Sequence, residues 1–437
     1  MTSKTAAKAL FICTKCDAQS TKWSGRCLEC SGWGTVTEMA AAPEAKQAVA
    51  LTGRPGKTFS LAELRGSKTA HRPTGIAEFD RVLGGGLVPG SLVLLSGEPG
   101  IGKSTLLLQV AATLPNVLYA SGEESADQVA LRFERLGLAA PTLKFLSETD
   151  ITTVLATIDA EKPSLAIIDS IQTLSSPEAA GSQGSATQVR AMTAQLMEFA
   201  KRTGVPMLLV GQVTKDGDVA GPKTLEHLVD VVVSFEGDRS SNYRLLRTAK
   251  NRFGATDEVG VFEMTAAGLK EVANPSSFFL TDRSKDVPGS VVTCIMEGTR
   301  PILVEIQALA SRTTFGYPQR RASGFDANRL QVLLAVLSER LGVPTSTHDI
   351  HINVAGGYKV KEPAADAAVV LAVVSALSGK PLPSSLAAFG EVGLGGELRP
   401  VTFVEKRETE AKRLQFTQVL TPKNSPHLKD AIKKLFP

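Results

Sequence analysis

One stretch decides the fold: Ser91-Leu-Val-Leu-Leu95, then Gly97-Glu-Pro-Gly-Ile-Gly102-Lys103-Ser104-Thr105, then Leu106-Leu-Leu-Gln-Val110. It predicts a buried strand, a glycine-rich loop and an apolar helix start, the context in which Gly-x4-Gly-Lys-Ser is a phosphate loop. Backbone N–H groups of such a loop converge on phosphates at the positive end of the helix. We expect Lys103 to neutralise the β- and γ-phosphates of ATP and the Ser104 hydroxyl to ligate Mg²⁺. The predicted nucleotide-binding residues are Gly97, Glu98, Pro99, Gly100, Ile101, Gly102, Lys103, Ser104 and Thr105.

Three later apolar runs are predicted to be strands that end in polar side chains. These ends carry Glu123 and Glu124 after 117–122, Asp169 after 164–168, and Gln212 after 207–211. In an open parallel sheet, ligands bind at the carboxyl ends of the strands. Asp169 is therefore placed to hold the Mg²⁺ water shell, a water-activating base would sit at 123–124, and the Gln212 amide can sense a γ-phosphate.

These features resemble the core of RecA-type recombinases and ring helicases. The approach Thr74-Gly-Ile-x3-Asp80 and the turn Leu83-Gly-Gly-Gly-Leu87 favour that superfamily over kinases and small GTPases. The resemblance implies three roles: Glu123 as catalytic glutamate, Asp169 as second Walker acid and Gln212 as sensor. The sequence alone leaves the neighbouring Glu124 as an alternative base.

Two polar segments follow the predicted strands, at residues 174–187 and 213–223. In RecA-like proteins the corresponding loops face a central channel and grip single-stranded DNA. The resemblance therefore implies phosphate contacts from Arg190, Lys215 and Lys223. The alternative is a pair of solvated loops.

Four of the five cysteines form a doubled Cys-x-x-Cys pattern at Cys13, Cys16, Cys27 and Cys30. Two such turns can aim four thiolates at one Zn²⁺, and four protein ligands leave no open position, so a structural zinc is expected. Disulfides or a redox pair are the alternatives; a cytosolic setting argues against the first and the doubled motif against the second. Residues 1–38, with only Trp23 and Trp33 as large aromatics, are too few to form a core without a metal.

Composition sets further limits. The chain has 437 residues, 43% apolar and 21% charged, which excludes a wholly disordered chain. No run approaches the ~18 apolar residues of a spanning helix, and the N-terminus lacks the apolar core of a secretory signal, so a cytoplasmic protein without a membrane partner is expected. Residues 1–72 carry a net charge of +6, compatible with nucleic acid. Residues 39–71 are predicted to be a linker, with one short helix at Leu61-Ala-Glu-Leu64.

Residues 279–437 are predicted to form a third unit. Strands are expected at 290–296, 302–309 and 349–354, and helices at 327–341, 363–377 and 403–413. The layout resembles the proteolytic domain of Lon, whose nucleophile lies in a Gly-Pro-Ser-Ala-Gly turn. The matching turn here is Glu362-Pro-Ala-Ala-Asp366, and Ala364 has no hydroxyl to form an acyl-enzyme.

The dyad lysine of the Lon pattern is also missing, since its position holds Glu405, with Lys406 next to it. The resemblance therefore implies a proteolytically inactive domain kept as an assembly surface. Candidate DNA contacts on it are Arg312, Arg320, Arg321 and Lys359. Solvated surface charge is the alternative for each of them.

The pentapeptide Lys250-Asn-Arg-Phe-Gly254 follows a strand-like run at 243–248. On an extended segment Lys250 and Arg252 point the same way and could reach a phosphate of a neighbouring subunit. A basic turn is the alternative. This pentapeptide is the signature of the RadA (Sms) family of bacterial DNA-repair ATPases, and the zinc ribbon, ATPase core and Lon-like tail occur in that family's order. The sequence therefore resembles this family over nearly its whole length.

The expected fold is α/β: a RecA-like P-loop ATPase core at 72–275, an N-terminal C4 zinc ribbon and a C-terminal Lon-protease-like α+β domain. The resemblance implies a DNA-dependent ATPase that acts as a ring helicase or translocase on single-stranded DNA and promotes branch migration in recombinational repair. Implied cofactors are ATP, Mg²⁺ and Zn²⁺; implied partners are single-stranded and branched DNA, RecA recombinase and further copies in a hexameric ring. The alternative is a regulatory ATPase scaffold of the KaiC type without DNA motor activity. An ATP-dependent protease is disfavoured by Ala364.

Overall fold

A computed structural model describes residues 10–16, 18–39, 60, 71–139, 142–212, 225–237, 242–280, 286–314 and 316–436. The chain divides into two compact units, residues 1–68 and 69–437. The short helix predicted at 61–64 and the candidate DNA contacts Lys215 and Lys223 lie outside the described residues.

The first unit contains a small antiparallel sheet with the strand order β2-β1-β3. Its strands are β1 (Leu10–Cys13), β2 (Gln19–Ser20) and β3 (Val36–Met39). Trp23 and Trp33 are 63% and 77% exposed, so neither tryptophan contributes a buried core to this unit. The four cysteines of this unit are the remaining candidates to hold it together, through a bound metal ion.

The second unit is built on a nine-stranded sheet with the order β12-β11-β10-β9-β4-β8-β7-β5-β6. Strands β4 to β9 are parallel, and β10 to β12 continue the sheet in antiparallel fashion. The strands are β4 (Leu92–Gly97), β5 (Val117–Ser121), β6 (Lys144–Ser147), β7 (Leu165–Asp169), β8 (Met207–Gln212), β9 (Val231–Glu236), β10 (Tyr243–Asn251), β11 (Val259–Thr265) and β12 (Gly268–Glu271).

Helices cover both faces of this sheet. They are α1 (Ala77–Leu83), α2 (Lys103–Thr113), α3 (Ala126–Arg135), α4 (Ile151–Glu161) and α5 (Ala186–Thr203). A short helix, α6 (Pro275–Phe279), follows β12 and packs against the second sheet of this unit. Side chains of β4 alternate between two apolar clusters, because successive residues of a strand point to opposite faces. Val93 and Leu95 pack in the cluster that contains α2, whereas Leu92 and Leu94 pack in the cluster that contains α4 and α5. Such double burial explains the unbroken apolar sequence of the strand.

The C-terminal half of this unit has a six-stranded sheet with the order β15-β16-β14-β13-β17-β20. Its elements are β13 (Ser290–Glu297), β14 (Arg300–Arg312), β15 (Arg320–Ser323), α7 (Ala327–Leu341), β16 (His348–Val354), α8 (Asp366–Ser378), β17 (Leu386–Ala388), β18 (Glu391–Val392), β19 (Leu398–Arg399), α9 (Val404–Arg413), β20 (Gln418–Leu420) and α10 (Leu428–Leu435). The predicted helices and strands of this half are observed. Strand β14 is longer than predicted, because Arg300 pairs with Glu297 across a hairpin and Arg312 pairs with His348.

The two sheets of this unit share one apolar core. Tyr243 and Val261 of the first sheet pack in the same cluster as Val291 and Ile302 of the second. Two ion pairs also connect them, Arg300 with the buried Glu78 and Arg247 with Glu297. The ATPase-like and Lon-like parts therefore form one compact body.

An ion pair with one fully buried partner lies at the turn that matches the nucleophile turn of Lon. Arg407 is fully buried and donates to both carboxylate oxygens of Glu362, each at 2.7 Å. Glu362 also accepts from the backbone N–H of Met296 at 2.7 Å. Ala364 is buried in the same turn, while Glu405 and Lys406 are exposed on α9. A charged pair held by hydrogen bonds thus lies two residues before Ala364, the residue at the nucleophile position of the Lon pattern.

Loss of the Glu362 carboxylate should destabilise this half strongly, because the Arg407 guanidinium would remain buried without a counter-charge. We expect Glu362→Ala to lower the local free energy of unfolding by about 3–5 kcal/mol, measured as faster hydrogen–deuterium exchange in β13 and α9. Glu408→Ala removes a surface partner of Lys412 and serves as the control, with an expected loss below about 0.5 kcal/mol. Equal protection in the two variants would contradict a structural role for the buried pair.

Candidate functional site

The phosphate-loop pattern forms the turn between β4 and α2. Gly102 precedes α2 with a φ of 113°, a conformation that L side chains rarely adopt. A Cβ atom added to Gly102 would lie 2.7 Å from Cε of Met264, and one added to Gly97 would lie 2.6 Å from the Phe235 carbonyl oxygen. Glycine is thus required at Gly97 by the backbone contact and at Gly102 by its φ, and the loop has the narrow backbone cradle that phosphates need.

Lys103 is the first residue of α2 and is only 6% exposed. Its ammonium group donates to the carbonyl oxygens of Gly97 at 2.8 Å and Glu98 at 3.0 Å. Burial lowers the pKa of Lys103, and the nearby carboxylates of Asp169 and Glu123 oppose that shift. The Lys103 ammonium group is therefore held at the loop by two carbonyl oxygens, and two carboxylates lie near it.

The predicted polar residues meet at one edge of the sheet. Gln212 lies opposite Gly97 in the β4–β8 ladder, and Asp169 lies opposite Ser121 in the β5–β7 ladder. A cleft of about 310 Å³ lies at this edge. Its lining comprises Pro99, Gly100, Gly102, Lys103, Ser104, Thr105, Glu123, Glu124, Arg132, Arg135, Asp169, Val210 and Gln212. Three predicted loop residues, Gly97, Glu98 and Ile101, do not line the cleft. Ile101 packs in the apolar core.

The two neighbouring glutamates differ in their contacts. Glu123 accepts from the Ser170 hydroxyl at 2.6 Å and from the Gln212 amide at 3.0 Å. Glu124 instead forms an ion pair with Arg132 of α3. Burial raises the pKa of Glu124, and Arg132 opposes the shift. Glu123 is thus connected to the predicted sensor, whereas Glu124 is engaged by a helix.

Asp169 is buried at the end of β7, with 5% of its surface exposed. Its Oδ2 atom accepts a hydrogen bond of 2.5 Å from the Tyr119 hydroxyl. Burial, followed by the charge of Asp169, raises the pKa of Tyr119 well above its usual value, so the phenol stays a donor. Asp169 keeps Oδ1 for a second partner, which suits a ligand to the water shell of Mg²⁺.

Sequence reasoning missed Arg132 and Arg135, which line this cleft, and Ser170, which donates to Glu123. The two arginines are three positions apart on α3, so they share one face of that helix. That spacing, directly after the acidic pair, was the available signal. The only sequence signal for Ser170 was its position next to Asp169.

Lys250 and Arg252 lie at the opposite end of the sheet. Lys250 pairs with Val232 of β9, which lies opposite Leu94 of β4, and the phosphate loop leaves β4 three residues later at Gly97, about 10 Å further along the strand. The Lys250 ammonium donates to the carbonyls of Glu226 at 2.5 Å and Val229 at 2.9 Å. Arg252 contacts Asp230 at 3.4 Å and is half exposed. This placement separates both cations from the phosphate loop of their own chain.

The other candidate DNA contacts are scattered. Arg190, Arg312, Arg321 and Lys359 are exposed. Arg320 is engaged, since its guanidinium donates to the backbone carbonyls of Thr345 and His348. Burial lowers the pKa of Arg320. Arg320 therefore joins β15 to the segment that contains Thr345 and His348, and these contacts make its guanidinium less available for DNA.

The four cysteines of the first unit form one cluster, and their sulfur atoms all lie within 4.8 Å of one another. Sγ of Cys13 is 3.7 Å from that of Cys30, and Sγ of Cys16 is 3.6 Å from that of Cys27. Four thiolates at the usual Zn–S bond length of about 2.3 Å are about 3.8 Å apart. The cluster therefore fits a tetrahedral zinc ion, and these distances exclude S–S bonds.

Comparison with known proteins gives the family. A DNA repair protein RadA of Streptococcus pyogenes serotype M3 is 48% identical over 422 residues, covering 96% of this chain and 93% of the relative. The RadA proteins of Bacillus subtilis and Pseudomonas aeruginosa are each 47% identical, covering 95% of this chain and 92% and 93% of their own lengths. The chain belongs to the RadA family of DNA repair proteins.

Two domain families match within this RadA-family chain. Residues 58–218 match an AAA domain, which includes the phosphate loop, Glu123, Asp169 and Gln212. Residues 335–435 match the C-terminal proteolytic domain of Lon, which includes Ala364. The predicted family and fold class are thus confirmed. None of the described helices is long and apolar enough to cross a membrane.

The cysteine cluster makes a prediction about metal content. Metal analysis of the purified chain should find one zinc per chain, and Cys27→Ser should lose it, because a thiolate ligand is removed from a four-ligand site. Cys294→Ser is the matched control, since Cys294 is buried in the second unit. Zinc retained in full by Cys27→Ser would refute the site.

Proposed function

We propose that this chain is a DNA-dependent ATPase that acts as a ring helicase or translocase on single-stranded DNA and promotes branch migration in recombinational repair. The observation that carries the proposal is the convergence of Lys103, Glu123, Asp169 and Gln212 on one cleft next to the phosphate loop. Membership of the RadA family gives the DNA-repair setting.

The residues of the cleft suit ATP hydrolysis. Lys103 balances charge that develops on the transferred phosphoryl group, and Asp169 with Ser104 would hold Mg²⁺. When bound, Mg²⁺ supplies positive charge to the phosphates. The Ser170 hydroxyl holds the carboxylate of Glu123 in place, and this carboxylate takes a proton from the attacking water. Gln212, which donates to the same carboxylate, is placed to respond to the γ-phosphate.

The different partners of the two glutamates lead to a test. Glu123→Gln should bind ATP but reduce kcat by about 10²–10⁴, because only the base is lost. Glu124→Gln should retain hydrolysis, since Glu124 is engaged by Arg132. Single-turnover hydrolysis and binding of a fluorescent ATP analogue measure the two steps. The reverse pattern would assign the base to Glu124.

Lys250 and Arg252 are proposed to act on the nucleotide of a neighbouring subunit. Their distance from the phosphate loop of their own chain supports action in trans, as for arginine fingers. The half-exposed Arg252 guanidinium makes one contact with Asp230 and keeps further donors for a phosphate. Lys250 makes two contacts to carbonyls that also hold segment 225–230. We therefore propose a ring, of six subunits, in which one subunit completes the next.

Mixed rings test action in trans. Lys250→Ala and Arg252→Ala should fold and bind DNA but lose DNA-dependent ATPase, by up to about 10³–10⁵ for an arginine finger. Lys270→Ala, an exposed lysine on β12, is the control and should keep full activity. Mixing either inactive variant with Lys103→Ala should restore some hydrolysis, because one interface would combine an intact loop with intact cations. No recovery in rings shown to exchange subunits would contradict the proposal.

The proposed partners follow from the same setting. Single-stranded and branched DNA would contact Arg190, Lys215 and Lys223, with Arg312, Arg321 and Lys359 on the Lon-like part. RecA recombinase is the proposed protein partner, and the cytoplasm the proposed location. The proposed divisions are a zinc ribbon at 1–38, a linker at 39–71, an ATPase domain at 72–275 and an inactive Lon-like domain at 279–437. Ala364 and the exposed Glu405 support the absence of peptidase activity.

A regulatory ATPase scaffold of the KaiC type is the competing function. The two hypotheses differ in whether single-stranded DNA raises the ATPase rate. Stimulation by DNA favours the motor, whereas an unchanged rate favours the scaffold. Equal rates with and without DNA, in protein with full zinc content, would reject the proposed function.

A further inference from the structure

A buried arginine lies behind the phosphate loop. Arg244 of β10 is only 8% exposed, and its Nε atom donates to the Ile101 carbonyl at 3.3 Å. Its Nη1 atom donates to the Tyr243 carbonyl at 2.8 Å. Neither Arg244 nor Ile101 lines the ATP cleft, and Ile101 packs in the apolar core. Arg244 therefore contacts the loop from its core side.

Strand β10 is fixed on both of its faces. Successive residues of a strand point to opposite faces, so the side chains of Tyr243 and Arg244 lie on opposite sides. Tyr243 packs in the apolar core shared with the Lon-like half, and its hydroxyl donates to the Gly357 carbonyl at 3.0 Å. Leu246, on the same face as Arg244, packs in the cluster that contains Ile101 and α2. The guanidinium thus extends to the loop from a strand that the Lon-like half anchors.

The Ile101 carbonyl determines the direction of the next N–H group. The peptide between Ile101 and Gly102 is trans. A trans peptide is planar, so this carbonyl and the Gly102 N–H point in opposite directions. Gly102 lines the ATP cleft, whereas Ile101 does not. A carbonyl held by Arg244 on the core side therefore directs the Gly102 N–H into the cleft, where the N–H groups of such a loop bind phosphate.

Gly237 leaves the space that Arg244 occupies. A Cβ atom added to Gly237 would lie 2.5 Å from Cδ and 3.2 Å from Nε of Arg244, and 3.1 Å from Cδ1 of Ile101. The first of these distances is well below the usual separation of about 3.5–4.0 Å between non-bonded carbon atoms. A side chain at position 237 is therefore expected to displace the guanidinium from the Ile101 carbonyl.

We propose that Arg244 is a positioning residue for nucleotide binding, which orients the Gly102 N–H toward phosphate through the Ile101 carbonyl, in space that Gly237 provides. The inference rests on the proposed ATP hydrolysis in the cleft. It assigns a role in that site to a side chain that lies 143 residues from Ile101 in the sequence. A guanidinium suits this role, because its charge strengthens the hydrogen bond and its planar donors hold one direction.

The test measures binding of fluorescent ATP and ADP analogues to the full-length chain. Arg244→Met keeps the aliphatic stem but removes the guanidinium, and it should weaken binding about tenfold, the effect of one lost hydrogen bond to a charged group. ATP and ADP should weaken equally, because the N–H groups of this loop hold the α- and β-phosphates that both share. The value of kcat at saturating ATP should change less than about twofold, since these contacts form in the ground state and the transition state alike.

Two further variants examine the same contact, and they carry the test if Arg244→Met does not fold. Gly237→Ala should weaken both analogues, and the double variant should bind no more weakly than Arg244→Met, because the group to be displaced is then absent. Arg244→Lys keeps a charged donor and should lose less affinity. Arg340→Met is the matched control, since Nε of Arg340 also donates to a carbonyl at 3.3 Å, that of Leu394 in the Lon-like half. It should leave nucleotide affinity unchanged.

Thermal unfolding, followed in parallel, separates positioning from a general loss of structure. If the unaltered chain binds neither analogue, the proposed function and this inference both fail. If it binds, and folded Arg244→Met and Gly237→Ala match its affinity, Arg244 has only a structural role, and this inference is overturned while the proposed function stands. Weakened binding of ATP alone would locate the effect at the γ-phosphate. Additive losses in the double variant would show that Gly237 does not act through Arg244. Either of these two results also overturns the inference.

Discussion

Strand β4 is paired in parallel on both edges, with β8 on one side and β9 on the other, and its side chains are buried on both faces. Parallel pairing aligns the carboxyl ends of the strands, so the position of Gly97 determines which neighbours face the phosphate loop. Gln212 is directly opposite Gly97, and Phe235 limits the loop from the other side. A register shift of one residue would turn every buried side chain of β4 to the wrong face. The geometry of the ATP site is therefore a consequence of core packing.

The sequence allowed the site residues to be named because they are local: a glycine pattern between a strand and a helix, and polar residues where apolar runs end. What it did not allow depends on side-chain direction. Glu123 and Glu124 have the same chemistry and adjacent positions, and only the direction of α3, which brings Arg132 to Glu124, separates them. Ser170 and Arg135 were missed for the same reason. The buried Arg407 with Glu362 was also beyond the sequence, since 45 residues separate the partners.

Lys250 and Arg252 hold neighbouring segments of their own chain in place. The Lys250 ammonium holds the carbonyls of Glu226 and Val229, and Arg252 contacts Asp230, whose carboxylate accepts from the N–H of Leu92. The contacts of Lys250 and Arg252 therefore fix the positions at which β9 and β4 begin. The contacts of Arg252 and Asp230 are thus connected to the phosphate loop through strand β4, which begins at Leu92 and ends at Gly97.

The Lon-like half is attached by more than a linker. Glu78 of α1 accepts from the backbone of Val261 and pairs with Arg300, and the apolar core is continuous across both sheets. Separating the halves would expose that core and leave Glu78 buried with one fewer partner, which is costly. Relative rotation of the two halves is thus disfavoured, and the body that binds nucleotide moves together with the Lon-like sheet. Glu362, in the turn that matches the catalytic turn of Lon, pairs with the fully buried Arg407 and accepts from the backbone of Met296, so this turn joins β13 to α9 inside the same compact body.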